Sequence, residues 1–195
     1  MAQGISVKPV RAITWTDVGG REAALIQRCA ARDEGACAGL VAEHQRMVYQ
    51  LSLNLLGDHN EALDLSQEVF LRVFRTIHGF RGQSALRTWI YRIAVNQAKN
   101  RIRWWHRRHR SSQVSLDDHL MHFGDLESKQ DILPARLLAS KETAAKIWQA
   151  LARLPFEQRT ALILREVDGL RYEEIAFSLD VAVGTVKPGS VPPNP

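Results

Sequence analysis

Over about residues 21–110 and 139–187 the apolar positions recur at steps of three and four, the period of amphipathic helices. A first helix is expected over about 21–32, with Ala24, Leu25, Ile26 and Cys29 inward. A second, over about 36–56, carries Leu40, Val41, Met47, Val48, Leu51 and Leu55. Gly57 ends it, and Asp58 or Asn60 is placed to cap a third helix over about 61–77. That helix sets Leu65, Val69, Phe70, Val73 and Phe74 on one arc, opposite Asp64, Gln67, Glu68, Leu71 and Arg75. Residues 79–84 read as a loop, with Ser84 as N-cap. A long helix over about 85–105 follows, with the stripe Leu86, Trp89, Ile90, Ile93 and Ala94. The period lapses over 111–138 and returns in a helix at about 140–151, with Ala144, Ile147, Trp148 and Leu151 inward. Pro155 opens the next helix, about 156–167, and Gly169 stops it. A short helix at about 172–179, the turn 180–182 and a last turn at 183–187 form a helix-turn-helix layout. The expected fold is all-α: two small helical domains joined by a flexible acidic linker. The units are a mobile leader (1–20), a first domain (21–110), the linker (111–138), a second domain (139–187) and a Pro-rich disordered tail (188–195).

Charge changes the picture. Residues 72–110 hold 11 of the 26 basic residues and no Asp or Glu. The remainder has 15 basic against 21 acidic residues, so the overall charge of +5 is local to one segment. That segment is suited to a polyanion. It also contains Phe80, Trp89, Tyr91, Trp104 and Trp105. Guanidinium groups hold phosphates and rings stack on exposed bases, so the mixture fits unpaired nucleic acid better than a merely solvated basic face. Arg92, Asn96, Lys99, Asn100 and Arg103 share one side of the long helix at three- and four-residue steps. An outward asparagine offers both donor and acceptor and can read a base edge, although it can also bond to backbone or water.

Other chemistries are disfavoured. Cys29 and Cys37 are eight apart and match neither CxxC nor a zinc pattern, which points to a reducing cytoplasm. The pairs His106/His109 and His119/His122 have helical ligand spacing. The first pair sits among arginines, which repel a cation, and the second lies in the linker without a clear third ligand. There is no Gly-rich phosphate loop and no nucleophile with a nearby base, so neither a catalytic residue nor a cofactor is expected. No apolar run reaches the ~18 residues of a membrane span, and the first 18 residues lack a signal-peptide layout.

Three stretches together resemble the extracytoplasmic-function (ECF) sigma factors of bacterial RNA polymerase. Residues 64–75, DLSQEVFLRVFR, resemble the part that docks on core polymerase. Residues 80–100, FRGQSALRTWIYRIAVNQAKN, are similar to the part that melts and reads the −10 promoter element. Leu154-Pro155, Glu157-Gln158-Arg159, residues 164–170, 172–176 and 183–187 resemble the −35-reading domain. The resemblance implies a non-enzymatic cytoplasmic factor that binds core polymerase and promoter DNA, both as duplex and as the melted non-template strand. An anti-sigma protein is a further partner the family implies. Asp64, Gln67, Glu68, Leu71 and Arg75 would meet the polymerase. Phe80, Arg81, Ser84, Arg92, Asn96, Lys99, Asn100, Arg103, Trp104 and Arg107 would engage the −10 element, with Asn96 at the pocket for a flipped base. Thr185 and Lys187 would retain what −35 contact there is. The acidic linker would lie in the polymerase channels.

The chain departs from the family after Lys187. Pro188-Gly189-Ser190-Val191-Pro192-Pro193-Asn194-Pro195 replaces the expected Arg-rich helix, and four prolines in eight residues cannot form one. From Arg136 on there are eight basic residues against seven acidic, a poor balance for gripping duplex DNA. The tail resembles a frameshifted or altered gene end, and weakened −35 binding is expected. The alternative is a helix-turn-helix regulator acting without polymerase, which the shortened recognition helix disfavours.

Overall fold

The computed structural model describes residues 20–109 and 146–187, and all regular structure among them is helical. Helix α1 is Gly20–Ala30, α2 Glu34–Leu56, α3 His59–Thr76 and α4 Leu86–His109, with a 3₁₀ turn at Ile77–Gly79. In the second domain α5 covers 146–152. Helix α6, Phe156–Leu162, runs on into a π-turn at Ile163–Val167, followed by α7 Tyr172–Leu179 and α8 Val183–Val186. The expected leader apart from Gly20, the whole linker, residues 139–145 with the expected inward Ala144, and the Pro-rich tail lie outside the described residues.

Local chemistry explains the boundaries. Arg32 takes a left-handed φ of 61° after α1. The Asp33 carboxylate then accepts from Ala36 N–H at 2.9 Å and starts α2 two residues earlier than expected. Gly57, at φ 73°, closes α2, with its N–H donating to Leu53 O. Asp58, rather than Asn60, caps α3 by accepting from Glu61 N–H at 2.8 Å. Ser84 does not cap α4: its hydroxyl donates to Ala85 O, and the Glu22 carboxylate of α1 accepts from Leu86 N–H at 2.9 Å. A side chain 64 residues upstream therefore meets the positive end of α4.

Helices α2, α3 and α4 pack on one another, with α1 laid against α2 and the 3₁₀ turn. Their core holds Leu40, Val48, Leu51, Leu55, Leu65, Val69, Val73, Leu86, Ile90 and Ala94. Several expected core assignments need correction. Ala24 is exposed, because α1 turns Leu25, Ile26 and Cys29 inward instead. Trp89 and Ile93 are only half-buried, whereas Tyr91, Val95 and Ala98 are buried. Ile147 is 55% exposed.

One cause underlies several of these differences: the second domain docks on the first. Helix α7 packs along α4, and one core cluster joins Leu55, Tyr91 and Val95 to Ile163, Leu164, Leu170 and Ile175. Residues Leu51 to Leu56 are consequently buried around the whole circumference of α2. Arg159, itself 7% exposed, donates from Nη2 to Leu55 O at 3.2 Å.

Candidate nucleic-acid interface

Helix α4 and the 3₁₀ turn build a groove of about 670 Å³ against the end of α3. Its lining includes Arg72, Trp89, Arg92, Asn96, Gln97 and Asn100. Asn96 and Asn100 are one turn apart and both exposed, so their amides stand free to meet a base edge. The half-burial of Trp89 places a ring wall in this groove. Phe80 tilts against that ring, with centroids 5.1 Å apart. Arg81 is exposed at the loop. Farther along α4, Arg103 and Arg107 are exposed and Trp104 is 46% exposed, with the Arg108 guanidinium 4.9 Å over its ring. The arrangement is an aromatic-walled, amide-floored cleft leading to a cationic helix end, the kind of surface that takes a single strand.

Two expected contributors do not belong to this surface. Ser84 is fully buried, its hydroxyl committed to the backbone, so it cannot touch a strand. Arg101, one of the 11 basic residues of the 72–110 segment, faces α3 instead. Its Nη1 lies 2.6 Å from Glu61 Oε2 and its Nη2 2.7 Å from Glu68 Oε1, with the side chain 17% exposed. It fastens α4 to α3.

Two more of the expected cations are engaged by the second domain. Arg92 Nη2 lies 2.8 Å from Asp180 Oδ1, and its guanidinium stands 4.9 Å over the Phe177 ring. Lys99 Nζ lies 2.7 Å from Glu157 Oε1, and this hydrogen bond holds the Glu157 carboxyl below its ordinary pKa. Beside them, Thr88 Oγ1 donates to Glu174 Oε1 at 3.2 Å. Arg87 donates to Tyr91 OH at 3.2 Å, and Tyr91 OH donates to Asp168 Oδ1 at 2.9 Å. Burial pushes the Asp168 carboxyl above its ordinary pKa, although Tyr91 and Arg87 pull it down. None of these domain contacts was visible in the sequence, which places the partners in different domains, for Thr88, Tyr91 and Arg92 77 or more residues away.

On the outer side of α3, Asp64, Gln67, Glu68, Leu71 and Arg75 are all exposed, as the helical spacing predicts. A second groove, of about 420 Å³, runs between α2 and α3 and is lined by Val41, Tyr49, Leu63, Gln67 and Phe70. Leu63, 43% exposed, extends the apolar part of this face; sequence spacing alone did not single it out. In the second domain Thr185 and Lys187 are exposed. Helix α8 is one turn long, and Lys187 already has extended backbone, with φ −68° and ψ 133°. His106 lies outside any grouping of three or more metal-ligating side chains among the described residues. Among these residues no helix is long and apolar enough to cross a membrane.

Comparison with known proteins decides the family. Residues 40–109 match Sigma-70 region 2 and residues 144–187 match Sigma-70, region 4. The chain is 39% identical to the RNA polymerase sigma-H factor of Pseudomonas aeruginosa over 84% of each chain. It is 37% identical to the ECF RNA polymerase sigma-E factor of Escherichia coli K12, over 84% of this chain and 85% of that one. This chain belongs to the ECF sigma factors. Solved structures with the same fold include CnrH in complex with the cytosolic domain of CnrY, at TM-score 0.57 and 19% identity, covering 86% of this chain and 88% of that one. A second is RpoE with the anti-sigma factor NepR from Bartonella quintana, at TM-score 0.56 and 24% identity, covering 79% and 88%. As an ECF sigma factor the chain is a transcription initiation factor, not an enzyme. Its region 2 match coincides with the helices that build the groove, and its region 4 match ends at Lys187.

Proposed function

We propose that this ECF sigma factor binds core RNA polymerase through the outer face of α3 and directs promoter recognition and melting through the α4 groove, acting in the cytoplasm. The observation that carries the reading is the groove itself: two exposed asparagine amides beside a tryptophan wall, on the one segment of the chain rich in arginine and free of acid. Capture of one base flipped out of the −10 element offsets an unstacking cost of a few kcal/mol. Arg81, Arg103 and Arg107 hold the neighbouring phosphates. Asp64, Gln67 and Arg75 meet the polymerase, with Leu71 and Leu63 as the apolar part of that contact. Glu68, tied to Arg101, offers its free edge.

Recognition of the −35 element is weakened on this reading, because α8 spans four residues and the chain turns extended at Lys187 just before Pro188. Thr185 and Lys187 retain only residual contact. The test is transcription from a randomised promoter library with core polymerase added. Asn96→Ala should relax preference at one −10 position by roughly 1–3 kcal/mol while lowering total affinity less. Unchanged base preference would overturn the flipped-base assignment, and a −35 preference as strong as the −10 preference would overturn the weakened second domain.

A further inference from the structure

Helix α1 meets both ends of the loop that leads into α4. It packs on the 3₁₀ turn, whose His78 and Gly79 line the groove just before Phe80 and Arg81. At the far end of the loop the Glu22 carboxylate accepts from Leu86 N–H at 2.9 Å. Among the described residues no other side chain takes an amide of the first turn of α4, since the Ser84 hydroxyl donates to Ala85 O. Trp89, which forms the groove wall, follows Leu86 by three residues, and Phe80 rests against its ring. The direction in which α4 leaves the loop therefore decides where that wall stands. Glu22 itself is not part of the groove lining: it borders a separate cavity of about 990 Å³ with Leu25, Gly39, His44 and Arg87. Truncating it enlarges space already present and leaves the filled core alone.

We infer that Glu22 is a positioning residue for the strand groove: by accepting from Leu86 N–H it sets the exit of α4 from its loop, and with it the Trp89 wall beside which the strand is held. The inference rests on the reading of α4 and its loop as the strand-binding surface. An amide at a helix start has no partner within its own helix, so an acceptor from elsewhere fixes the first turn as a side-chain N-cap would. The carboxylate charge also meets the positive end of the helix. Because this acceptor comes from another helix, the bond orders the loop between them as well as the turn. A strand that needs the ordered arrangement binds in proportion to the fraction of molecules holding it.

The test uses the full chain assembled with core polymerase on a promoter duplex selected by the parent chain, with permanganate reactivity of thymines reading the melted segment. Holoenzyme assembly is measured on the same proteins, and hydrogen exchange of the Leu86 amide reads the bond itself. Glu22→Ala should speed exchange at that amide and lower promoter opening roughly threefold to fivefold, the size of a lost N-cap, with assembly unchanged. Glu22→Gln keeps an oxygen acceptor and should restore most of the opening. Asp58→Ala removes a cap of the same kind from the start of α3. It should lower the melting temperature comparably and leave opening at its parental level. Opening undiminished in Glu22→Ala, no rescue by Glu22→Gln, or an equal loss in Asp58→Ala overturns the positioning role. Asn96→Ala separates the two levels. If it impairs opening while Glu22→Ala does not, the groove stands and the positioning residue falls. If neither impairs opening, the groove itself is misassigned.

Discussion

Two arginines two positions apart on α4 illustrate how little residue type alone decides. Arg101 points into α3 and bridges Glu61 and Glu68, while Arg103 is exposed on the face that leads out of the groove. The 100° step per residue of an α-helix separates their roles. Arg101→Ala leaves two carboxylates facing each other without a cation. It should lower unfolding free energy by about 1–2 kcal/mol in urea titration, since bonds to charged groups are worth more than neutral ones but these acids are partly solvated. Arg103→Ala should leave that titration unmoved. It should weaken DNA binding evenly across sequences and reduce the slope of log affinity against log salt by about one phosphate contact. If the two variants exchanged phenotypes, the assignment of both side chains would be wrong.

At the scale of elements, α4 is the instructive case. Its start and arginine-rich character follow from period and composition, and so does the exposure of Asn96 and Asn100, but it runs on to His109 rather than ending near 105. Its buried side was only half legible. The spacing favoured Trp89 and Ile93, but the helix is covered from two directions, by α2 and α3 on one side and by α7 on the other. The second cover buries Thr88, Tyr91 and Val95, which a search for a single apolar stripe passes over. The cap on α4 was hidden for a similar reason: Glu22 is distant in sequence, while Ser84 had the right type and position but the wrong environment. The outer face of α3 was legible because a surface helix covered on one side obeys one period. In the second domain the stop at Gly169 was equally legible, and its φ of 69° explains it. The space around a Cβ there is open, so Gly169→Ala should cost only backbone strain, about 1–2 kcal/mol, read as earlier melting of the second domain. No loss would mean that the turn relaxes into another conformation.

Over the whole molecule, net charge divides into a cationic helix and a mildly acidic remainder, and the docked arrangement brings part of each together. Not every docking contact pulls the same way. Asp168 lies at the domain contact with Oδ1 bonded to Tyr91, and Oδ2 is buried without a hydrogen-bond partner among the described residues. Its carboxyl pKa is raised in the docked state, so docking takes up protons there. That contribution is fully present below the ordinary aspartate pKa and is lost as pH rises through the raised value. Glu157 runs the other way. Its hydrogen bond to Lys99 across the domain contact holds it below its ordinary pKa. Its contribution is lost only as pH falls through that lowered value. Asp168→Asn keeps an acceptor for Tyr91 while removing the buried charge. At neutral pH it should therefore tighten docking and shrink the radius of gyration read by small-angle scattering. It should also flatten the rise in docking as pH is lowered toward the carboxylate range. An expanded Asp168→Asn protein at neutral pH would reverse the assigned sign.

The π-turn at Ile163–Val167 acts as a rotational setting. Its 3.2 Å bond from Asp168 N–H to Ile163 O spans one residue more than an α-helical bond, so the chain enters the Gly169 turn with its face already rotated. A one-residue deletion inside it would turn everything after it by about 100° about the helix axis. Asp168 would swing off Tyr91, and the helix-turn-helix would meet α4 with a different side. A single codon in a segment that touches neither polymerase nor promoter in the proposed reading would thereby reset how the two domains face each other.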